Sequence, residues 1–355
     1  ERSWSPPRIY GRVKADAPFL AWHGNLKTRE IVDEGNPVGY RAYMSAQLVW
    51  CAGPGVEVEE IHIDDKKRGF TVRQLTDAQE LTVDLKGVRE IKGSPSVDSG
   101  RVVFYPGSAT QQTDPLLRRF LNPTGAFPAY QGLAYSVLYD DFYVGDGKSA
   151  KKISTVLRRY PNGLGLTSGH HKIGSDANGA CLIYDDLTAP RVPHCGAGMH
   201  PARIDPDSLR TMGETLFSEG LGVSFLFQGV SAQERIDETL RHVNGYRYLN
   251  MQTGLLTFGL IRANHGPDGH PTGGPGSLRD FSRTHSDYTL AKNAARVSYT
   301  DAANGFIQVP ATEQNLAAIE ARGGEIDYLD INLPGITTAA NGQKAAAQAL
   351  QGMGP

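Results

Sequence analysis

The stretch that decides how this chain is organised is DPDSLRTMGETLFSEG, Asp205 to Gly220. Asp205 is placed to cap a helix, Pro206 opens it where a missing N–H costs nothing, and Gly220 can take the left-handed conformation that closes it. Leu209, Met212, Leu216 and Phe217 recur at helical spacing and form the predicted buried stripe. Downstream, Gly222 to Gln228 reads as a strand. Ser231-Ala-Gln-Glu234 is a capping box for a second helix carrying Ile236, Leu240 and Val243, with Gly245 predicted to close it. Tyr246 to Asn250 and Leu255 to Arg262, joined by Met-Gln-Thr-Gly, read as a hairpin. Upstream, the loop from Tyr160 to Gly174 leads into a helix-like run, Asp176 to Thr188. Residues 176–262 are thus predicted to be a small α+β unit.

Its flanks differ in texture. From Phe19 to Arg159, short runs with strand character recur: Tyr40–Val49, Val56–Ile63, Gly69–Leu75, Leu81–Val88, Arg101–Tyr105, Gly132–Tyr139 and Lys152–Leu157. They predict a barrel or sandwich over 19–159, interrupted by one helix from Asp114, its cap, to Leu121. Residues 1–18, rich in Pro and basic side chains without apolar period, read as an arm or linker. Residues 263–280 read as a flexible loop, with Gly and Pro clustered around His265 to Gly276. A third unit over 281–355 is predicted from strands at Asn293–Tyr299 and Glu325–Leu333 and helices at Glu313–Arg322 and Thr337–Gln351. It ends on an outgoing helix, and because the chain opens at Glu1 and not Met, a processed chain or a fragment of a longer protein is expected.

Composition narrows the function classes. With 355 residues, two or three units at roughly 100–200 residues each are expected. A formal net charge of -2, from 36 basic and 38 acidic side chains, creates no global field for nucleic acid or an anionic membrane. The three cysteines, Cys51, Cys181 and Cys195, are too few and too scattered for a disulfide framework, which favours assembly in a reducing cytoplasm. No run approaches the roughly 20 apolar residues of a membrane span.

Chemistry-bearing motifs are sparse. His194-Cys195 to His200, with His170-His171 and Cys181 upstream, has the residue types of a zinc site but not its paired spacings, so a loop with exposed histidines and a packed Cys195 is expected. Neither a G-x-S-x-G elbow, a phosphate-binding G-x-x-x-x-G-K-[ST], H-E-x-x-H nor a D-x-D-x-D-G metal loop occurs. The pairs Asp64-Asp65, Asp140-Asp141 and Asp185-Asp186 are expected in solvated turns and helix caps. Gly163-Leu-Gly165 reads as loop, and the basic runs at Lys66–Arg68, Arg118-Arg119, Lys151-Lys152 and Arg158-Arg159 as solvated faces. No catalytic residue, cofactor ligand or metal ligand is nominated. Phe127-Pro-Ala-Tyr130 is a candidate contact surface.

Three stretches resemble the tail hub or tail-tip proteins of long-tailed bacteriophages and gene transfer agents, a family that includes the tip attachment protein of lambda-like phages. The first runs from Phe104-Tyr-Pro-Gly-Ser-Ala-Thr-Gln-Gln-Thr-Asp-Pro to Ala126-Phe-Pro-Ala-Tyr-Gln-Gly-Leu-Ala-Tyr135. The second comprises Leu182-Ile-Tyr-Asp-Asp-Leu-Thr, Ile204-Asp-Pro-Asp-Ser-Leu and Glu219-Gly-Leu-Gly-Val-Ser-Phe. The third is Val297-Ser-Tyr-Thr-Asp-Ala-Ala-Asn-Gly-Phe306 with Pro334-Gly-Ile-Thr-Thr338. Together they span residues 40–350 in the family's order.

The resemblance implies an α+β multidomain fold, with strand-rich tube-like β-barrel domains and an interposed small α+β domain. The unit over 281–355 would be the start of a second barrel. It implies a homotrimeric ring at the distal tail tip of the virion, contacting the distal tail protein, the tape-measure protein C-terminus and tail-tip or fibre proteins. Such a ring continues the tail tube and gates genome passage. DNA would cross its lumen without specific binding, and neither substrate nor cofactor is needed. The lumen wall is expected from barrel strands poor in Lys and Arg, with 176–262 outside the channel. The alternative is a cell-wall-degrading or carbohydrate- or receptor-binding tail component, for which His170–His200 is the one candidate region.

Overall fold

A computed structural model describes residues 5–86, 88, 99–145, 150–191, 195–262 and 292–352. The chain begins with β1 (Arg8–Ala15), the long pair β2 (Phe19–Asp33) and β3 (Asn36–Ala52), then β4 (Glu57–Ile63), β5 (Lys66–Arg68), β6 (Phe70–Gln74), β7 (Gln79–Asp84) and β8 (Ser99–Pro106). Helix α1 (Pro115–Leu121) precedes β9 (Leu133–Gly145) and β10 (Ile153–Arg159). These strands run in the order β5-β4-β10-β1-β3-β9-β8-β7-β6, with β2 on β3.

The two ends of that path are consecutive in sequence, separated by Gly69 alone. Gly69 accepts from the Asp84 N–H at 2.8 Å, and Arg68 reaches the Lys86 carbonyl at 3.1 Å, so the sheet curls until its edges nearly meet. The interior is filled by side chains including Leu48, Trp50, Ile61, Leu81, Phe104, Leu138, Phe142 and Leu157, and the void among them is about 10 Å³. This barrel is a packed core and not itself a channel.

A second layer covers the outer face of β8 and β9. Asp114 caps α1, as predicted, through the Leu116 and Leu117 N–H groups, and its other oxygen accepts from Tyr105 (2.9 Å) and Tyr139 (2.8 Å). Gln111, fully buried, ties the Gly107 N–H to the carbonyls of Ala129 and Tyr130. Phe127 and Tyr130 pack edge-on into this layer and are only partly a surface.

The expected arm over residues 1–18 is corrected: β1 is a largely buried strand inside the sheet. Its first three residues pair with a strand from far downstream and Gly11–Ala15 pair with β10. Gly11 makes that change of partner at φ 68°, where a Cβ would lie 2.0 Å from the Ser224 hydroxyl, so only glycine fits. Strand β2, which the sequence did not suggest, is mostly exposed, and the outer halves of β2 and β3 form a ribbon with Leu26, Val32, Val38 and Tyr40 in solvent.

The α+β unit holds the short pair β11 (Lys172–Ile173) and β12 (Asp176–Ala177), then α2 (Gly179–Thr188), α3 (Pro206–Glu219), β13 (Phe225–Phe227), α4 (Ala232–Val243), β14 (Gly245–Leu249) and β15 (Leu256–Leu260). Its helix signals are where the sequence put them. Asp205 caps α3, Gly220 closes it at φ 68°, and both halves of the Ser231/Glu234 capping box are made. The structure differs at four points. The run from Asp176 is a strand before a helix capped by Asn178; Asn244, not Gly245, takes the left-handed closing position. Phe217 leaves the buried stripe to stack on His170, and β13 pairs with β1, so this unit contributes a strand to the barrel sheet.

Residues 263–280 lie outside the described residues. After them, β16 (Ala294–Asp301) is flanked by antiparallel β17 (Ile307–Gln314) and parallel β18 (Tyr328–Asn332), with α5 (Leu316–Ala321) between these and α6 (Ala339–Gly352) packed on β16 and β17. The expected helix from Glu313 begins only at Leu316, because β17 occupies the residues before it. No helix among the described residues is long and apolar enough to cross a membrane.

Candidate functional site

The densest polar cluster lies where barrel meets α+β unit, and its residues come from both. Strand β1 supplies Arg8 and Tyr10, the end of β10 supplies Arg159, α2 supplies Asp185 and Asp186, and α4 supplies Arg235. Tyr10 donates to Asp185 at 2.9 Å and lies 2.8 Å from Asp186, so its hydroxyl sits between the two carboxylates. Arg8 reaches Asp185 at 2.5 Å and Asp186 at 3.0 Å. Arg159 grips both oxygens of Asp185, and Arg235 both oxygens of Asp186. Arg235 also donates to the carbonyls of Val230 and Cys195, and Arg159 to that of Pro54, so few of these donors are left over.

The electrostatics follow from this pairing. Burial alone would raise the Asp185 carboxyl, but the Arg159 and Arg8 guanidiniums more than offset it and hold it down at about 2. Burial works against the Arg8 charge, and its contacts with Tyr10, Asp185 and Asp186 more than restore it. Burial, then the two carboxylates, pushes the Tyr10 hydroxyl well above its ordinary range, so it stays a donor. The cluster sets three guanidiniums around two carboxylates and one hydroxyl. The clefts of about 590 and 340 Å³ elsewhere on the chain are not lined by any of the six. The cluster is a clasp between units.

Sequence reasoning placed Asp185-Asp186 and Arg158-Arg159 in solvent; Asp186 and Arg159 are buried, and Asp185 is one-fifth exposed. Of the other carboxylate pairs, Asp64-Asp65 sits in an exposed turn facing Lys14, Lys151 and Lys152, as expected. The side chains of Asp140-Asp141 lie outside the described residues, as does His194. Of the remaining residues of the His170–His200 region, His171 has its Nδ1 buried without a hydrogen-bond partner, and the others make separate local contacts. His170 bonds Glu214 at 2.5 Å, which holds that carboxyl below its usual range. Cys181 is buried in the α+β core, with its thiol pushed up to about 12 by burial. Cys195 contacts Ser5, and the exposed His200 caps a short turn by accepting from the Ala202 N–H. Among the described residues, no three His, Cys, Asp or Glu side chains converge to hold a metal ion.

No protein-family profile and no curated protein matches the chain. Among solved structures it is similar to a chain of one described as "Virion of native gene transfer agent (GTA) particle", with a TM-score of 0.58 and 16% sequence identity. The match covers 99% of this chain and 73% of that one. At that identity the likeness is one of fold, and it extends through the barrel, the α+β unit and the C-terminal unit alike.

Proposed function

We propose that the chain is a structural component of a phage or gene-transfer-agent particle, and more narrowly the hub at the distal tail tip. The observation that carries this reading is the fold likeness over 99% of the chain to a virion protein. The packed interior of the barrel supports the ring arrangement: with no passage through one barrel, any channel must be enclosed by several copies. The sheet β17-β16-β18 would begin a second barrel, so that three copies present six similar barrels to a six-fold tube, and closed rotation limits assembly. In this ring the barrel strands line the lumen, the α+β unit sits outside it, and DNA passes without specific contacts. The distal tail protein, the tape-measure C-terminus and tail-tip or fibre proteins are its neighbours.

Electron microscopy of purified particles carrying this chain tests the reading. The expected density is a three-fold ring at the tail tip, its lumen faced by neutral or acidic side chains. Absence from the tail, or a continuous Lys/Arg ladder along the lumen, would overturn it.

A further inference from the structure

Three elements of the α+β unit grip one short turn of the C-terminal unit, residues 334–338. The Gly335 N–H donates to Nε2 of His242 on α4 at 3.0 Å. The Gly335 carbonyl accepts from the Ser224 N–H, next to β13, at 2.8 Å. The Thr337 hydroxyl bonds Asp176 of β12 at 2.7 Å. On the other side of the turn, Ile336 and Thr337 accept from Thr300 and Ala302 at the end of β16, so the turn is a physical link between the two units, beside the bonds of Asn341 and Lys344 to the Gly220 and Glu219 carbonyls. Contact is close enough to require glycine: a Cβ on residue 335 would lie 2.2 Å from the Phe225 ring and 3.0 Å from the His242 ring.

The geometry fixes the state of His242. Nδ1 lies 2.8 Å from the Glu238 carbonyl and must donate, so Nε2, receiving the Gly335 N–H, must be unprotonated. We propose that the 334–338 turn is an acid-released latch. Proton uptake at Nε2 sets two donors against each other and loosens the turn, and with it the C-terminal unit, from α4.

The surroundings of the ring favour the neutral form. Phe225 of β13 packs edge-on at 4.8 Å, the side chain is fully buried, and burial draws its protonation down to about pH 4. On its own helix Glu238, 3.5 Å from Nδ1, acts against this and Arg241 acts with it. Arg241 meanwhile bonds the Asn332 carbonyl at the end of β18. Arg12 and Lys14 of β1, and Asp16 just after it, line the adjoining cleft with Glu238 and Thr337. Asp176, gripping Thr337, has its carboxyl raised by burial, so it takes up a proton more readily when folded and contributes an effect of opposite sign.

Histidine ¹⁵N NMR together with amide exchange, corrected for the intrinsic rate at each pH, tests the latch on the intact chain. His242 should show the Nδ1–H tautomer at pH 7 and protonate well below the ordinary imidazole range. Over the same interval, exchange in residues 333–346 should accelerate by about tenfold or more, the scale of a lost buried hydrogen bond. His242→Gln keeps an acceptor oxygen and cannot titrate; it should abolish that acceleration and leave only the opposite slope from Asp176. Gly335→Ala should exchange fast already at pH 7. A His242 ring that protonates near pH 6.5 with no change in exchange, or an acid step that persists in folded His242→Gln, would sink the proposal. Should His242→Gln fail to fold, wild-type coincidence of the two titrations and the Gly335→Ala result decide it.

Discussion

Two of the junctions between the three units of this chain use different chemistry; a third, smaller one sets Arg12 of β1 against the Ala302 carbonyl and the Phe306 ring. Barrel and α+β unit share the β1–β13 backbone pairing and are joined beside it by full charges, Arg8, Arg159 and Arg235 on Asp185 and Asp186 around the Tyr10 hydroxyl. The α+β and C-terminal units meet at Gly335 through neutral hydrogen bonds and at Thr337 through one buried carboxylate, with Arg241, Asn341 and Lys344 adding bonds to the Asn332, Gly220 and Glu219 carbonyls. A carboxylate held by guanidiniums, as Asp185 is by Arg159 and Arg8, keeps its charge to lower pH than a free one. A neutral imidazole acceptor fails at milder acidity. The lesson is that the same molecule can be permanent at one seam and conditional at the next.

The comparison breaks most visibly at Asp186. Its side chain is completely buried, and Asp186→Ala leaves Arg235 and part of Arg8 without their counter-charge. A loss of about 3–5 kcal/mol is expected, read by denaturant unfolding. A loss below about 1 kcal/mol would mean that water reaches the guanidiniums and the clasp is not dry. Gly11→Ala comes next, since the new methyl is driven into Ser224 at a backbone angle that L-residues avoid. It should cost about 1–3 kcal/mol and loosen β1 from the α+β unit.

The pH dependence separates the junctions. His242 is held below its ordinary value, so the stability it contributes is complete above about pH 6.5 and is lost as the pH falls toward 4. Asp185 is also held below its ordinary value. Its contribution is complete above the unfolded carboxylate range near 3.8 and is lost only as the pH falls toward 2. That difference of nearly two pH units is worth about 2 kcal/mol. Acid unfolding should therefore show the C-terminal unit loosening first and the clasp failing second. Asp185→Asn should flatten the second step alone, measured by exchange in β1 and α2.

What was legible in the sequence follows from whether a signal was local. Helices α1, α3 and α4 carry their start signals within a few residues, and all three were predicted from Asp114, Asp205 and Ser231. The strands of the barrel core showed as β-branched runs because one face of each is buried. Strand β1 was read as an arm because its charges look solvated, yet the partner of Arg8 is 177 positions away and leaves no local trace. Strand β2 has solvent on both faces for most of its length, so no alternation marks it. Strand β17 carries Pro310, which argues against a central strand, but β17 is an edge where a missing N–H is tolerated. The clasp was missed for the reason β1 was: adjacent carboxylates look like a turn until α2 turns both toward one tyrosine.

The smallest effects are expected where sequence reasoning placed the metal-like residues, and they matter because they separate a structural component from an enzyme. Cys195 takes φ 56°, which alanine accepts no worse than cysteine, and the Arg235 bond uses its carbonyl, which Cys195→Ala retains. The His200 ring accepts one bond from an exposed turn, so His200→Ala removes a contact that water can replace. Each should change stability by no more than roughly half a kcal/mol, the range of surface substitutions away from special features. Particles carrying either variant should assemble and deliver their contents as wild type does. His170→Ala, which gives up the Glu214 bond and the stacking on Phe217, should be only slightly worse. A cell-wall-degrading site in this region would behave differently: one of the three substitutions would reduce cell-wall cleavage by orders of magnitude in particles that still assemble, because removing a catalytic group leaves the fold standing while taking away the chemistry.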